Sequence, residues 1–456
     1  MSLSTTFIRK LSTSTGSCRS ALQQRWSSSI RPSLDGLSDA TNGENFEYKD
    51  APINGIASLL PPPSTKYSND HPALKGSLMP PSGVPVKNFS PGPTCLPKAV
   101  EAEIKGLFDE NNDRVCSMYL SHRSPEFTDV LTSTMHLCRN AMQIPDNYEI
   151  LFMHGGGHGQ FAAAALNLCS NKDDKATYLV NGVWSRRAAE EASKYCNPTA
   201  ISSENEDGSF TSNPSLDNID ADSKYIYLCS NETFNGIEIH NLPKLGPDSP
   251  PLVVDASSDF TTKPVDWVES NVGLLYACAS KNIGHPGVTM VVIRKDLIGK
   301  QSPMCPSILC YDTNVKGGNL ANTIATFNVE VIGIQMKWMI QQGGVDEMER
   351  RSIAKANMLY DIIDYSDGFY TTPLEDKSIR SRMNVPFTVG NNEEITKDFL
   401  LQLWEKGIVG LRTVTPFGVG KHLRASLYNG VPEDHVEDLV FFMDKFMHNN
   451  RYRMNR

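Results

Sequence analysis

Six short apolar runs, each stopping at glycine or polar residues, constrain this chain more than anything else in it. They are Glu149–Met153, Ala176–Val180, Tyr225–Cys229, Leu252–Val254, Gly273–Ala279 and Val288–Ile293. Each is too short for a helix and too continuously apolar for a half-exposed strand, so both faces are expected to be buried. Between them lie helix-like stretches such as the Ala/Leu-rich Phe161–Cys169. That alternation predicts an α/β lobe built on a mainly parallel sheet. In such sheets ligands gather where the strands end, which makes the residues just past each run the ones to examine. After about residue 345 the order changes to helix, strand, helix, strand, helix. This predicts a smaller α+β lobe containing Arg382–Val389, Leu423–Tyr428 and an amphipathic helix near 433–448. Two lobes also suit a chain of 456 residues, since a single core rarely grows past about 250–300. The sequence has no internal repeat.

The first 86 residues are of another kind. Residues 1–30 hold thirteen Ser/Thr, with Arg9, Lys10, Arg19 and Arg25, and the first acid is Asp35. Ser-rich, Arg-bearing and acid-free is the composition of an organelle transit peptide, and no apolar core of a secretory signal is present. Residues 1–31 are therefore expected to direct import, with mitochondrion favoured over plastid because the arginines recur through the segment. A disordered tail is the plainer alternative. Residues 32–86 carry nine prolines, among them Pro61–Pro63 and Pro80-Pro81. This linker is expected to lie extended or loosely on the surface. The body then divides into 87–345 and 346–456.

Several function classes are disfavoured. The net charge is −9, and it becomes five charges more acidic once Arg9, Lys10, Arg19, Arg25 and Arg31 are removed with the leader. That argues against nucleic-acid or anionic-membrane partners. No apolar stretch reaches the roughly 18 residues a membrane helix needs. The ten cysteines are scattered without a C-x-x-C pair, so they read as reduced thiols in an intracellular compartment, and no metal site is expected.

Four strand-end features remain. His154-Gly-Gly-Gly-His158 joins a strand to a helix; its glycines would let backbone approach an anion at the helix N-terminus, though a tight turn is the commoner use. It lacks the Gly-Lys-Ser/Thr of a Walker loop, and its two histidines sit on a glycine loop ill suited to zinc. Asp255 closes Leu252–Val254; it either caps the next turn or holds a pyridinium N–H. Lys281 follows Gly273–Ala279. A lysine there is unusual, and burial is expected to lower its pKa towards that of a nucleophile. Trp184 follows Ala176–Val180 and either packs in the core or stacks on a flat ligand. An Asp 26 residues before a strand-end Lys is the order used by one large class of pyridoxal-phosphate enzymes.

With these residues in view, the chain resembles the phosphoserine aminotransferases, class V aminotransferases of pyridoxal-phosphate fold type I. The resemblance spans roughly residues 87–450. It runs through Asn88–Pro93, Ser121-His-Arg123 with Glu126-Phe127, His154–Gly157 with Gly159–Phe161, and Asn231-Glu-Thr233 with Gly236. It continues in Lys281–Gly284, Asn322-Thr323 with Thr326-Phe327, Ser381–Pro386 and Arg424–Asn429. It implies pyridoxal 5'-phosphate as cofactor and the exchange of an amino group between O-phosphoserine with 2-oxoglutarate and 3-phosphohydroxypyruvate with glutamate, in serine biosynthesis. It further implies that Lys281 forms the Schiff base and shuttles the proton, that Asp255 binds the ring nitrogen, and that Trp184 stacks on the ring. Thr233 would bond the 3-oxygen, Gly157 and His158 would hold the 5'-phosphate, and Ser280 would line the cofactor site. Asn322 and Thr323 would reach that phosphate from the second subunit of a homodimer. Arg424 would take the substrate α-carboxylate as a bidentate fork, with His122 and Arg123 facing the substrate's other end from the partner.

The departures bear on the substrate. Family members usually carry a His-Arg pair six to seven residues before the carboxylate arginine, where this chain has Phe417 and Gly418. Lys421, His422 and Arg412 are the cations nearest in sequence. His158 stands where arginine is common, Ser280 where glutamine often precedes the lysine, and Pro91 replaces a small polar residue. A class V enzyme acting on serine or alanine with glyoxylate is the alternative these changes leave open.

Overall fold

The structure is a computed structural model and describes residues 71–109, 114–390, 392–415 and 418–455. The expected leader, residues 1–31, and the linker up to residue 70 lie outside the described residues.

All six apolar runs become strands of one seven-stranded sheet. Its order is Tyr148–Met153, Thr289–Arg294, Val272–Cys278, Leu252–Asp255, Ile226–Cys229, Lys175–Val180 and Asn197–Ser202. The last five strands run parallel. Thr289–Arg294 is antiparallel to both its neighbours, so Tyr148–Met153 regains the common direction. The carboxyl ends of all strands but Thr289–Arg294 therefore open at one edge. The seventh strand, Asn197–Ser202, gives no apolar run in the sequence because it is a largely exposed edge carrying Pro198.

Alternation along the strands divides the interior. Ile150, Phe152, Leu228, Val254, Leu275 and Met290 face one core, closed by the helices Pro125–Ala141 and Thr326–Gln341. Leu151, Met153, Tyr178, Tyr227, Val253 and Tyr276 face the other, closed by Gly156–Leu168 and Val183–Ala192. Both faces are dry, as continuous Val/Ile/Leu runs require. Pro125–Ala141 starts where it does because the Ser124 side chain accepts from Phe127 N at 3.2 Å and proline occupies the first helical position.

A third core surrounds an antiparallel four-stranded sheet, ordered Tyr370–Thr371, Asn384–Val389, Gly418–Ser426 and Arg412–Thr415. The sequence signals a strand only from Leu423 onward; the chain already pairs at Gly418 and adds Arg412–Thr415 beside it. Glycine and polar residues there leave no apolar run to read. The expected division after residue 345 falls inside one continuous helix, Gly344–Asp364. Its Val345 and Met348 pack in the first core, and Leu359 and Ile363 in the third. The last part of the expected linker is less loose than its composition suggests. Pro72–Lys75 forms a short 3-10 turn whose Leu74 is buried in the third core.

A buried ion cluster joins the short strand Ile237–Glu238 to the residues that lead into Asn384–Val389. Glu238 accepts from Lys263 Nζ at 2.9 Å, and from Arg382 through its backbone N at 2.8 Å and Nη2 at 2.6 Å. Burial alone would raise the Glu238 pKa, but Lys263 and Arg382 bring it down to about 2. Its contribution to stability is full above the ordinary value of 4.5 and is lost as the pH falls from there towards about 2. Glu238→Gln removes the anion that Lys263 and Arg382 share and leaves Lys263 to Asp259 and Arg382 to Glu349, each at 2.8 Å, so it is expected to cost about 1.5–3 kcal/mol near neutral pH. Denaturant unfolding should show the gap between wild type and variant narrowing as the pH falls from about 5 to about 3. A gap that stays constant over that range would exclude Glu238 as the titrating group.

Candidate active site

One cavity of about 630 Å³ lies at the carboxyl edge of the large sheet, within the size range of small-molecule sites. Gly157, His158, Trp184, Thr233, Asp255, Ser280, Lys281 and Arg424 all line it. Eight of the residues singled out in the sequence are thus brought together from six separate chain segments.

Lys281 sits in the turn after Val272–Cys278, and its Nζ donates to Thr233 Oγ1 at 3.3 Å. The turn fits closely against the loop before it. A Cβ on Gly92, whose φ is +117°, would lie 3.3 Å from Lys281 Cγ, so only glycine is at ease there. The expectation of a lowered lysine pKa is not met. Burial does lower it, but the acidic neighbours Cys278, Tyr428, Asp255 and Cys229 outweigh burial and raise it.

Asp255, 4% exposed, ends its strand inside the sheet. Its two oxygens divide the two roles left open by the sequence. Oδ1 caps the following turn, accepting from Ser257 N at 2.9 Å. Oδ2 has one long contact, Tyr227 OH at 3.5 Å, and a Cβ built on Gly157 would come 3.9 Å from it. Burial is the main cause of its raised pKa, with Ser257 and Lys281 acting against it. Tyr227 also pairs with Tyr276 OH at 2.9 Å. This buried hydroxyl pair behind the carboxylate is invisible in the sequence, where both tyrosines read as strand apolars.

The glycine turn is also the start of a helix. Gly155, with φ +99°, precedes Gly156–Leu168, and Gly159 N is the first amide to find an intrahelical acceptor, Gly155 O at 3.0 Å. The amides of Gly156, Gly157 and His158 therefore have no acceptor within the helix, which makes the turn apt for an anion. The His158 ring meets the Trp184 ring edge-on at 5.8 Å.

Trp184 opens the helix Val183–Ala192. Its Nε1 is buried without a hydrogen-bond partner. The residue that positions it is Glu232, whose carboxylate accepts from Trp184 N at 3.0 Å and Ser185 N at 2.7 Å. Gly182 makes room for that carboxylate, since a Cβ there would fall 2.3 Å from Glu232 Cδ. In the sequence Glu232 stands only as part of the Asn231-Glu-Thr233 motif; its partner lies 48 residues away, which local pattern does not reveal.

Arg424 comes from Gly418–Ser426 and is 6% exposed. Nη1 donates to the Thr233 carbonyl, while Nε is buried and unpartnered. No carboxylate pairs with it among the described residues. Burial pushes its pKa down to about 10. A cation so placed calls for an anion.

Four expected residues stay apart from this cavity within the one chain. His122 is buried with Nε2 unpartnered, Arg123 is exposed, and neither lines the cavity; nor do Asn322 and Thr323. Thr323 O instead contacts His154 Nε2 at 3.1 Å. Of the three cations near Arg424, Arg412 lines the cavity and His422 does not; the Lys421 side chain lies outside the described residues. Ser257, Ser90, Gly410 and Lys75 are lining residues the sequence did not single out.

The comparisons with known proteins agree with this geometry. The family described as Aminotransferase class-V matches residues 86–439. Phosphoserine aminotransferase 2, chloroplastic, of Arabidopsis thaliana is 38% identical over 364 residues, covering 79% of this chain and 84% of that one. Phosphoserine aminotransferase of Drosophila melanogaster is 38% identical over 372 residues, covering 80% of this chain and all of that one. The PLP-bound phosphoserine aminotransferase structure from Trichomonas vaginalis superposes with a TM-score of 0.72 at 29% identity, covering 79% of this chain and 100% of that one.

Proposed function

The chain belongs to the class V aminotransferase family, and on that premise we propose that it is a pyridoxal-phosphate-dependent phosphoserine transaminase. It exchanges an amino group between O-phosphoserine with 2-oxoglutarate and 3-phosphohydroxypyruvate with glutamate by a ping-pong mechanism, the step that serves serine biosynthesis. The observation that carries the reading is the buried Arg424, without a carboxylate partner among the described residues, in the same cavity as Lys281 and Asp255.

The residues present fit the cofactor. Asp255 Oδ2 is poised to accept from a ring N–H, the indole of Trp184 borders the cavity, and the Gly156–His158 amides suit a phosphate. When bound, pyridoxal phosphate supplies the electron sink that lets an amino group leave one carbon and join another. Lys281 Nζ would hold the cofactor and carry the proton to and from the substrate α-carbon, and Thr233 Oγ1, its hydrogen-bond partner at 3.3 Å, would bond the ring's 3-oxygen. Asp255, its Oδ1 held by Ser257 N, would keep the ring nitrogen protonated through Oδ2. Trp184 would cover one face of the ring and exclude water from it, with Ser280 beside the lysine. Arg424 binds the α-carboxylate and orients the α-carbon over Lys281. Asn322, Thr323, His122 and Arg123 belong to a second copy of the same site in a homodimer; within one chain they stand apart from the cavity. A half-reaction series with phosphoserine, serine and alanine tests the assignment, with phosphoserine expected to convert the enzyme fastest. Serine reacting as well would transfer the assignment to a class V enzyme for non-phosphorylated amino acids.

For residues 1–31 the proposed role is import into an organelle, the mitochondrion before the plastid. The acid-free, Ser-rich composition supports this, and the Arabidopsis relative is itself named chloroplastic. A reporter carrying these residues should enter mitochondria; cytosolic staining would remove the proposal.

A further inference from the structure

The helix Gly344–Asp364 buries a lysine that the site described above does not use. Lys355 is 3% exposed. Its Nζ donates to Leu427 O at 2.8 Å, Tyr428 O at 2.9 Å and Val431 O at 3.0 Å. Three acceptors take all three N–H groups of an ammonium, whereas a neutral amine has only two. Burial pushes the pKa of this lysine down to about 7, so the charge is held against its own desolvation. A methionine of similar length would avoid that cost, but it would withdraw a donor from each of three buried carbonyls.

The loop to which these carbonyls belong reaches both sides of Lys281. It follows directly on the strand Gly418–Ser426, which carries Arg424. Asn429 N donates to Asn282 Oδ1 at 2.9 Å, and Asn282 is the residue after Lys281. Tyr428 OH donates to Pro91 O at 3.0 Å, next to Gly92, the glycine that closes on Lys281 Cγ. The same two loops are joined again where Cys95 Sγ donates to Gly430 O at 3.3 Å, and Thr94 N donates to Ser280 O at 3.3 Å. Lys355 itself does not line the cavity. We propose that Lys355 is a positioning residue for the amino transfer. By gathering the carbonyls of Leu427, Tyr428 and Val431 it sets the loop that braces Pro91 and Asn282, and through them the backbone that aims Lys281. This rests on the transaminase reading above, in which Lys281 holds the cofactor.

The test uses the full-length holoenzyme with Lys355→Met, and with Lys355→Gln, which keeps two N–H groups, should the methionine variant fail to fold. Well below the melting temperature of each variant, kcat for phosphoserine is expected to fall about 10- to 100-fold, with KM changed by about threefold at most. The dissociation constant of the cofactor, titrated by its visible absorbance, should rise about tenfold, since the lysine that holds it is no longer aimed. Tyr428→Phe should lower kcat too, and its loss should not multiply with that of the Lys355 variant, because both act through one loop. A folded Lys355 variant with wild-type kcat and cofactor affinity, differing only in melting temperature, makes Lys355 a packing residue and overturns this inference alone. Losses that multiply in full overturn it as well. A lysine-linked absorbance that persists in Lys281→Ala overturns the reading of Lys281 and this inference with it, and is seen without any Lys355 variant.

Discussion

Lys281→Ala is expected to lower turnover by about 10⁴-fold or more, since the group that holds the cofactor and carries the proton is removed in one step. The visible absorbance of the lysine-linked cofactor should vanish with it. The melting temperature of the cofactor-free protein should hardly move, because Nζ makes a single hydrogen bond, to Thr233. Asp255→Asn separates the same machinery differently. An asparagine Oδ1 still accepts from Ser257 N, so the turn survives, but the ring nitrogen loses the negative partner that keeps it protonated. Cofactor binding should weaken modestly and rate severely. Single-turnover kinetics alongside cofactor titration distinguish these effects. Wild-type turnover in Lys281→Ala would mean that the whole constellation has been assigned to the wrong lysine.

The residues proposed to carry this chemistry are legible because they violate a local rule. A lysine or aspartate closing an apolar strand is costly unless it has work to do, and in an α/β sheet that work lies at the strand ends. What could not be read depends on long-range geometry. Glu232 caps a helix 48 residues earlier in the chain. The Tyr227–Tyr276 pair behind Asp255 joins side chains 49 positions apart, and each tyrosine alone looks like packing. The turn Pro72–Lys75 was hidden by its surroundings. A Pro-rich stretch predicts no core, yet Ala73 and Leu74 suffice to anchor it. The raised pKa of Lys281 is illegible in the sequence for a related reason. Burial was visible in the pattern, but Cys278, Tyr428, Asp255 and Cys229 converge on it from separate segments.

Arg424→Met is expected to separate function from stability. Arg424 is buried, its Nε is unpartnered, and no carboxylate pairs with it among the described residues, so the folded protein bears the cost of desolvating a charge without a matching anion. Methionine fills much of the same volume without that cost, and the variant should melt no lower than wild type. Its kcat/KM should nonetheless fall about 100-fold or more for phosphoserine and for glutamate alike, because each presents an α-carboxylate that loses a bidentate partner. Glu238→Gln should show the reverse pattern, a loss of stability, because its two buried cations already have their anion in the folded chain. A fall in melting temperature of Arg424→Met comparable to that of Glu238→Gln would make Arg424 a structural residue and remove the main support for an anionic substrate in this cavity.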